Sequence, residues 1–141
     1  MSIWRFQKQL AARLMAINMV NMVIGLLILP AGNFLRGLGQ QALAWGAINI
    51  GFGLVTSRFV DHQFAKQADP FQPEVIQQTS QQVKTILIVA VFSDVLYMLG
   101  GVWYARHHRK DAFKRGTGIG VVIQGAMLFL FDLFHALDIG E

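Results

Sequence analysis

Eight residues bring polar chemistry into otherwise oily stretches of this chain: Asn18, Asn21, Asn49, Asp94, Tyr97, Gln124, Asp132 and His135. Asparagine and glutamine donate and accept hydrogen bonds at once, which suits them to joining helix to helix. Aspartic acid and histidine can also carry a proton. A carboxylate at the centre of a membrane helix costs about 2.5–3.5 kcal/mol on insertion scales, so it must be neutralised, hydrogen-bonded or wet. No lysine or arginine occupies the middle of any apolar run, which leaves Asp94 without a cationic partner there. Asp94 is therefore expected as a neutral, hydrogen-bonding acid, with Asn21, Asn49 or Gln124 as its acceptors. His135, about one turn beyond Asp132, can pair with that acid or replace it as a proton carrier. Helix pairing is the simpler role for the four amides. For Asp94 with Tyr97, pairing and proton binding both stand. Asp132 and His135, nearer a segment end, read first as pairing or solvated-rim residues.

Helical spacing decides which of these groups share a face. Asn18, Asn21 and Gly25 do; so do Trp45, Asn49, Phe52 and Thr56; so do Asp94, Tyr97 and Gly101. Gln124, Leu128, Phe131 and His135 form a fourth stripe with Asp132 at its edge. Each helix thus carries one polar stripe, and all four can turn inward together.

The elements that position these stripes follow from composition. Of 141 residues, 54% are hydrophobic and 14% charged, against about 25% charged in ordinary soluble domains. Across 14–29, 41–57, 85–105 and 117–137 the only formal charges are Asp94 and Asp132. A soluble globular enzyme and an intrinsically disordered chain are both excluded by that distribution. The absence of cysteine excludes disulfides, thiolate catalysis and cysteine-ligated metal. The expected fold is all-α: one integral membrane domain, a four-helix bundle of two helical hairpins, with spans at about 13–30, 40–58, 84–105 and 117–137. Amphipathic lead-ins precede the first and third spans, at about 3–12 (Ile3, Phe6, Leu10, Leu14) and 73–83 (Val75, Ile76, Thr79, Val83, Ile86). Ser2 is the expected N-cap of the first helix, and Pro30 with Gly32 its end. Pro73 with Glu74 suits a helix start, and the polar stretch 59–72 separates the halves. The basic N-terminus reads as a retained helix rather than a cleaved signal, because no A-x-A site follows and Asn18 and Asn21 interrupt the apolar run. Lysine and arginine divide evenly between the two ends of the spans, which leaves orientation open.

A faint internal repeat runs through the chain. Asn18-x-x-Asn21-x-x-x-Gly25 has the spacing of Asp94-x-x-Tyr97-x-x-x-Gly101, and Gly46-Ala47 parallels Gly125-Ala126. Two hairpins in the same orientation, a parallel repeat, produce that order. Gly46 with Gly53, Gly100-Gly101, and Gly116-x-x-x-Gly120 with Gly125 read as places of close helix packing. The run Arg115-Gly-Thr-Gly-Ile-Gly120 lacks the spacing and the preceding strand of a nucleotide loop, although its amides at a helix start could hold a lipid phosphate. Arg106, Arg109, Lys110, Lys114 and Arg115 form a basic loop suited to anionic lipid headgroups rather than nucleic acid. Adjacent His107 and His108 diverge on a helix, and His135 is alone in its span, so neither metal nor another cofactor is expected. Gln77, Gln78, Gln81 and Gln82 read as a solvated face, and Trp4, Trp45 and Trp103 as interfacial anchors.

Several strings carry a resemblance: Asp94-Val-Leu-Tyr97, Gly100-Gly101, Arg115-Gly116-x-Gly118, Gln124-Gly125 through Phe131-Asp132, and Ala44-Trp45-Gly46-Ala-Ile-Asn49. Together they resemble an uncharacterised family of small bacterial four-helix membrane proteins, over roughly the last hundred residues. The resemblance implies that fold and highlights Asn49, Asp94, Tyr97, Gln124 and Asp132, but supplies no reaction. The functional expectation is a non-enzymatic, multi-pass inner-membrane protein in contact with the lipid bilayer. It would serve a structural or accessory role, self-associated as a homodimer or attached to a larger membrane complex. The alternative is a small-molecule, lipid or proton-coupled carrier with Asp94 as its protonatable site. A membrane oxidoreductase or quinone-binding subunit is the third reading.

Overall fold

Four helices run through residues 1–139, the part of the chain that the computed structural model describes. They are α1 (Ile3–Ile28), α2 (Asn33–Lys66), α3 (Pro73–His107) and α4 (Ala112–Asp138), and each is long and apolar enough to cross a membrane. The Ser2 hydroxyl accepts the Arg5 amide at 3.2 Å and so starts α1. A short 3-10 turn, Leu29–Ala31, follows α1, and Gly32 at φ 126° reverses the chain. Only glycine adopts that backbone cheaply. Pro73 opens α3 with Glu74 beside it, while the Asp111 carboxylate caps α4 by accepting the Lys114 amide at 3.1 Å.

Two stretches differ from the sequence expectation. The second helix starts at Asn33 rather than near Gln40, and it continues through the polar stretch as far as Lys66, leaving only 67–72 as linker. The charged residues beyond Ser57 face outward on a helix whose other side still has a partner. Val60 is buried there, and Lys8 of α1 bonds the Ser57 hydroxyl and Asp61 at 2.5 and 2.9 Å. That exposed ion pair contributes about 1 kcal/mol at most.

The lead-ins meet each other. Ile3, Trp4 and Phe6 of α1 form a cluster with Val60, Leu87 and Ala136, backed by Val75, Ile76, Val83 and Ile139, so all four helices contribute at this end. Trp4 is only 6% exposed, stacks edge-to-face on Phe64, and donates its indole N–H to the Pro70 carbonyl at 2.8 Å. It is therefore a buried clamp on the linker and not a surface anchor. Ile86, expected on the packed stripe, is exposed.

Helix α1 lies along α2, α3 along α4, and α2 against α4, while α1 and α3 barely touch. Glycine sets all three seams by letting backbones approach to a distance that a side chain would prevent. In the first hairpin, a Cβ on Gly39 would stand 2.6 Å from the Gly25 carbonyl oxygen. In the second hairpin, a Cβ on Gly118 would stand 2.7 Å from that of Gly101. Gly46 faces Met22 and the Asn18 carbonyl, as Gly125 faces Met98 and the Asp94 carbonyl. Between hairpins, Gly37 lies on the Phe113 carbonyl and Gly116 on the Phe34 carbonyl. The same sequence offset separates Phe34 from Phe113 and Gly37 from Gly116, so the contact is reciprocal. Gly116, Gly118 and Gly120 are buried within α4 by these contacts, which leaves no open phosphate-binding loop among the described residues.

A contrast between glycines tests the seams. Gly118→Ala would press a methyl to within 2.6 Å of the Ala105 amide nitrogen, whereas nothing lies within 4 Å of a Cβ at Gly51 or Gly100. Thermal melts of the solubilised protein are expected to fall for Gly118→Ala. They should hold or rise for Gly51→Ala and Gly100→Ala, where helix propensity favours alanine by about 1 kcal/mol.

Candidate functional site

Close approach of α1 and α2 brings the first amides together. Asn49 sits between Gly46 and Gly53 on α2, and its side-chain N–H reaches Asn18 Oδ1 at 3.2 Å. Asn18 is fully buried and donates to the Leu14 carbonyl at 2.8 Å, one turn back on its own helix. One turn further along α1, Asn21 spans the gap to α4. Asn21 Nδ2 donates to Gln124 Oε1 at 2.7 Å, and Gln124 Nε2 donates back to Asn21 Oδ1 at 3.0 Å. The α1 and α4 backbones do not pack at this level, so it is the reach of the two side chains that joins them. Asn21 also stands 3.3 Å from the Ala42 carbonyl and 3.5 Å from Asn18 Oδ1. The four amides thus form two hydrogen-bonded pairs, Asn49 with Asn18 and Asn21 with Gln124, which lie end to end across three helices.

The acids lie apart from these pairs. Asp94 is 3% exposed, on the face of α3 turned to α4. Its expected acceptors are engaged elsewhere, Asn21 and Gln124 with each other and Asn49 with Asn18. Asp94 lies beside Asp132 of α4. Among the described residues no donor reaches Asp94 Oδ2, and the one ion pair is Lys8 with Asp61. Asp132 itself is half-buried.

His135 and Tyr97 also take partners other than those expected. His135 is buried; its Nδ1 lies 2.7 Å from the Phe131 carbonyl and its Nε2 3.3 Å from Arg13 Nη1, so it bonds α1 rather than Asp132. Phe6, Phe131 and Phe134 surround the ring. Tyr97 is 43% exposed and packs its ring on Trp45 of α2 at 5.2 Å. By the repeat offsets, Tyr97 stands where Asn21 does and Trp45 where Gln124 does. An aromatic pair thus joins α2 to α3 where the amide pair joins α1 to α4. Phe52, expected on the inner stripe of α2, is exposed.

At the opposite end, Arg106, Arg109, Lys110 and Lys114 are exposed. Arg115 is tied down, donating to the Arg109 carbonyl at 2.7 Å and lying over the Phe34 ring. His107 stacks on Trp103, and His108 packs on Tyr104. No group of three His, Asp or Glu side chains suited to a metal occurs among the described residues.

Arg13, at the edge of the first apolar span, is a polar partner that the spacing of the eight polar residues does not single out. No spacing signal marks it, since Arg13 lies five residues before Asn18 and about 140° around the helix from it.

A double-mutant cycle tests the amide bridge. Asn21→Leu and Gln124→Leu are each expected to cost about 1–3 kcal/mol in unfolding free energy, since each strands the other amide. The double variant should cost less than the sum of the singles, by about 1 kcal/mol.

A family model for DUF6992, a family of unknown function, matches residues 13–133 and so takes in the first helix, which the shared strings did not reach. No curated protein and no solved structure matches the chain.

Proposed function

The chain belongs to DUF6992, a family of unknown function, and we propose that it is a multi-pass membrane protein with a structural or accessory, non-enzymatic role. The observation that carries this reading is the set of four amides, whose members use one another, and nearby carbonyls, as partners. A polar core satisfied from within holds helices in register and leaves little to offer a substrate. An apolar bundle of this length suits a bilayer, where α3 (35 residues, about 52 Å at 1.5 Å per residue) exceeds a hydrocarbon core of about 30 Å and projects beyond it. The bacterial inner membrane is the compartment that the family resemblance favours. The protein would act there as a homodimer or within a larger complex.

The two hairpins are a parallel internal repeat about a pseudo-two-fold axis along the membrane normal. Reciprocal seating of Gly37 on Phe113 and Gly116 on Phe34 supports this arrangement, since a two-fold contact pairs each residue with its partner's equivalent.

One observation favours a second reading, a proton-coupled carrier. Asp94 Oδ2 is buried without a donor beside a second carboxyl group. Two neighbouring carboxylates repel each other, so a proton shared between them is what a carrier of this kind would bind and release there.

Substitution at Asp94 separates the readings. Asp94→Asn supplies an N–H donor to Asp132 and should leave the melting temperature nearly unchanged under either reading. Asp94→Leu strands Asp132 and should lower it by several degrees. An accessory protein keeps its cellular phenotype and its co-purifying partners with Asp94→Asn. A carrier loses proton-linked uptake into vesicles with that same change. Pull-down of the wild-type chain in native detergent shows whether it travels with a complex.

A further inference from the structure

A groove of about 410 Å³ runs between α1 and α4, lined by Ile17, Met127, Leu130, Phe131 and Phe134, with Arg13 and His135 at one end. The carbonyl of Phe131 can only accept, so the hydrogen on His135 sits on Nδ1 and its Nε2 lone pair faces Arg13. His135 thereby takes one guanidinium N–H and fixes the group at the mouth of the groove. No other side chain or carbonyl among the described residues bonds Arg13, and the one carboxylate in an ion pair is Asp61, held by Lys8. Most of the guanidinium's N–H donors are therefore free, in the planar fork that matches a phosphate. Below it, Ile17, Leu130 and Phe134 expose apolar surface along the groove.

We propose that this groove is a binding site for an anionic phospholipid, its phosphate on Arg13 and one acyl chain along Ile17, Met127, Leu130 and Phe134. His135 acts as a positioning residue that orients the guanidinium. The proposal rests on the membrane reading above. Depth agrees with it: Arg13 lies eight residues before Asn21, so about 12 Å from the level of the central amides at 1.5 Å per residue. Half of a hydrocarbon core is about 15 Å, and an arginine side chain spans the remainder. Charge and shape therefore coincide where a bilayer places its phosphates. A cavity of this size also falls within the range of small-molecule sites, about 300–1,000 Å³.

The test is native mass spectrometry and thermal melting of the full chain in detergent with phosphatidylglycerol, phosphatidylcholine or glycerol phosphate added. Phosphatidylglycerol is expected to be retained about tenfold better than phosphatidylcholine and to raise the melting temperature, with no effect from glycerol phosphate. Arg13→Gln should abolish that preference. His135→Phe, which keeps the aromatic packing, should weaken it severalfold, and Lys66→Gln, an exposed cation outside the groove, should retain it. Equal retention of the two lipids overturns the proposal, as does full preference in Arg13→Gln or stabilisation by glycerol phosphate alone. Loss of preference in an Arg106→Gln/Arg109→Gln double variant but not in Arg13→Gln moves the effect to the basic loop and likewise overturns it. A chain that stays soluble and monomeric without detergent instead refutes the membrane reading, an outcome separable from any lipid result.

Discussion

A buried amide must find another polar group, and in a bundle whose outer surface is apolar that group has to come from a neighbouring helix or from its own helix backbone. The rest of the architecture depends on this constraint. An unpartnered buried amide costs about 1–3 kcal/mol, more than a typical interhelical hydrogen bond contributes. Asn18 therefore bonds the Leu14 carbonyl and Asn49, and Asn21 exchanges two hydrogen bonds with Gln124. These bonds set the register of α1 against α2 and tie α1 to α4 across a distance that the backbones themselves leave open.

Glycine makes that geometry reachable. Gly46 and Gly53 bring α2 so near α1 that Asn49 can meet Asn18, and Gly125 brings α4 equally close to α3 beside Asp94. Where Asn21 and Gln124 bridge one pair of helices, Tyr97 and Trp45 bridge the equivalent pair. Within the hairpins the seams carry different chemistry, Asn18 with Asn49 in the first and Asp94 beside Asp132 in the second. Glycine seams pair the helices in both hairpins, while the polar groups along those seams differ between them.

The acids and the arginine occupy opposite electrostatic situations. Asp94 and Asp132 face each other without a cation, and Arg13 faces His135 without a carboxylate. Both arrangements leave bonding capacity unspent. The paired amides have far less capacity to spare. Unspent capacity in an otherwise satisfied core is where a ligand or a proton can act.

Composition and spacing determined that the chain is four long apolar helices in two hairpins, with Ser2, Gly32 and Pro73 at their ends. Those features follow from local backbone preference and from the scarcity of charge, both readable residue by residue. Helical spacing also identified the inward stripe that holds Asn18, Asn49, Asp94 and Gln124. Tertiary structure alone decided who bonds whom. Asn21 could have met Asp94, and His135 could have met Asp132, on spacing grounds alone. Helix order around the bundle sent Asn21 to Gln124, Asp94 to Asp132 and His135 to Arg13, because a side chain's partner depends on how neighbouring helices are rotated and how closely their glycines let them approach. Trp4 shows the same limit: its position near a helix end fits an interfacial anchor, and only the return of the linker over α1 buries it against Phe64 and Pro70.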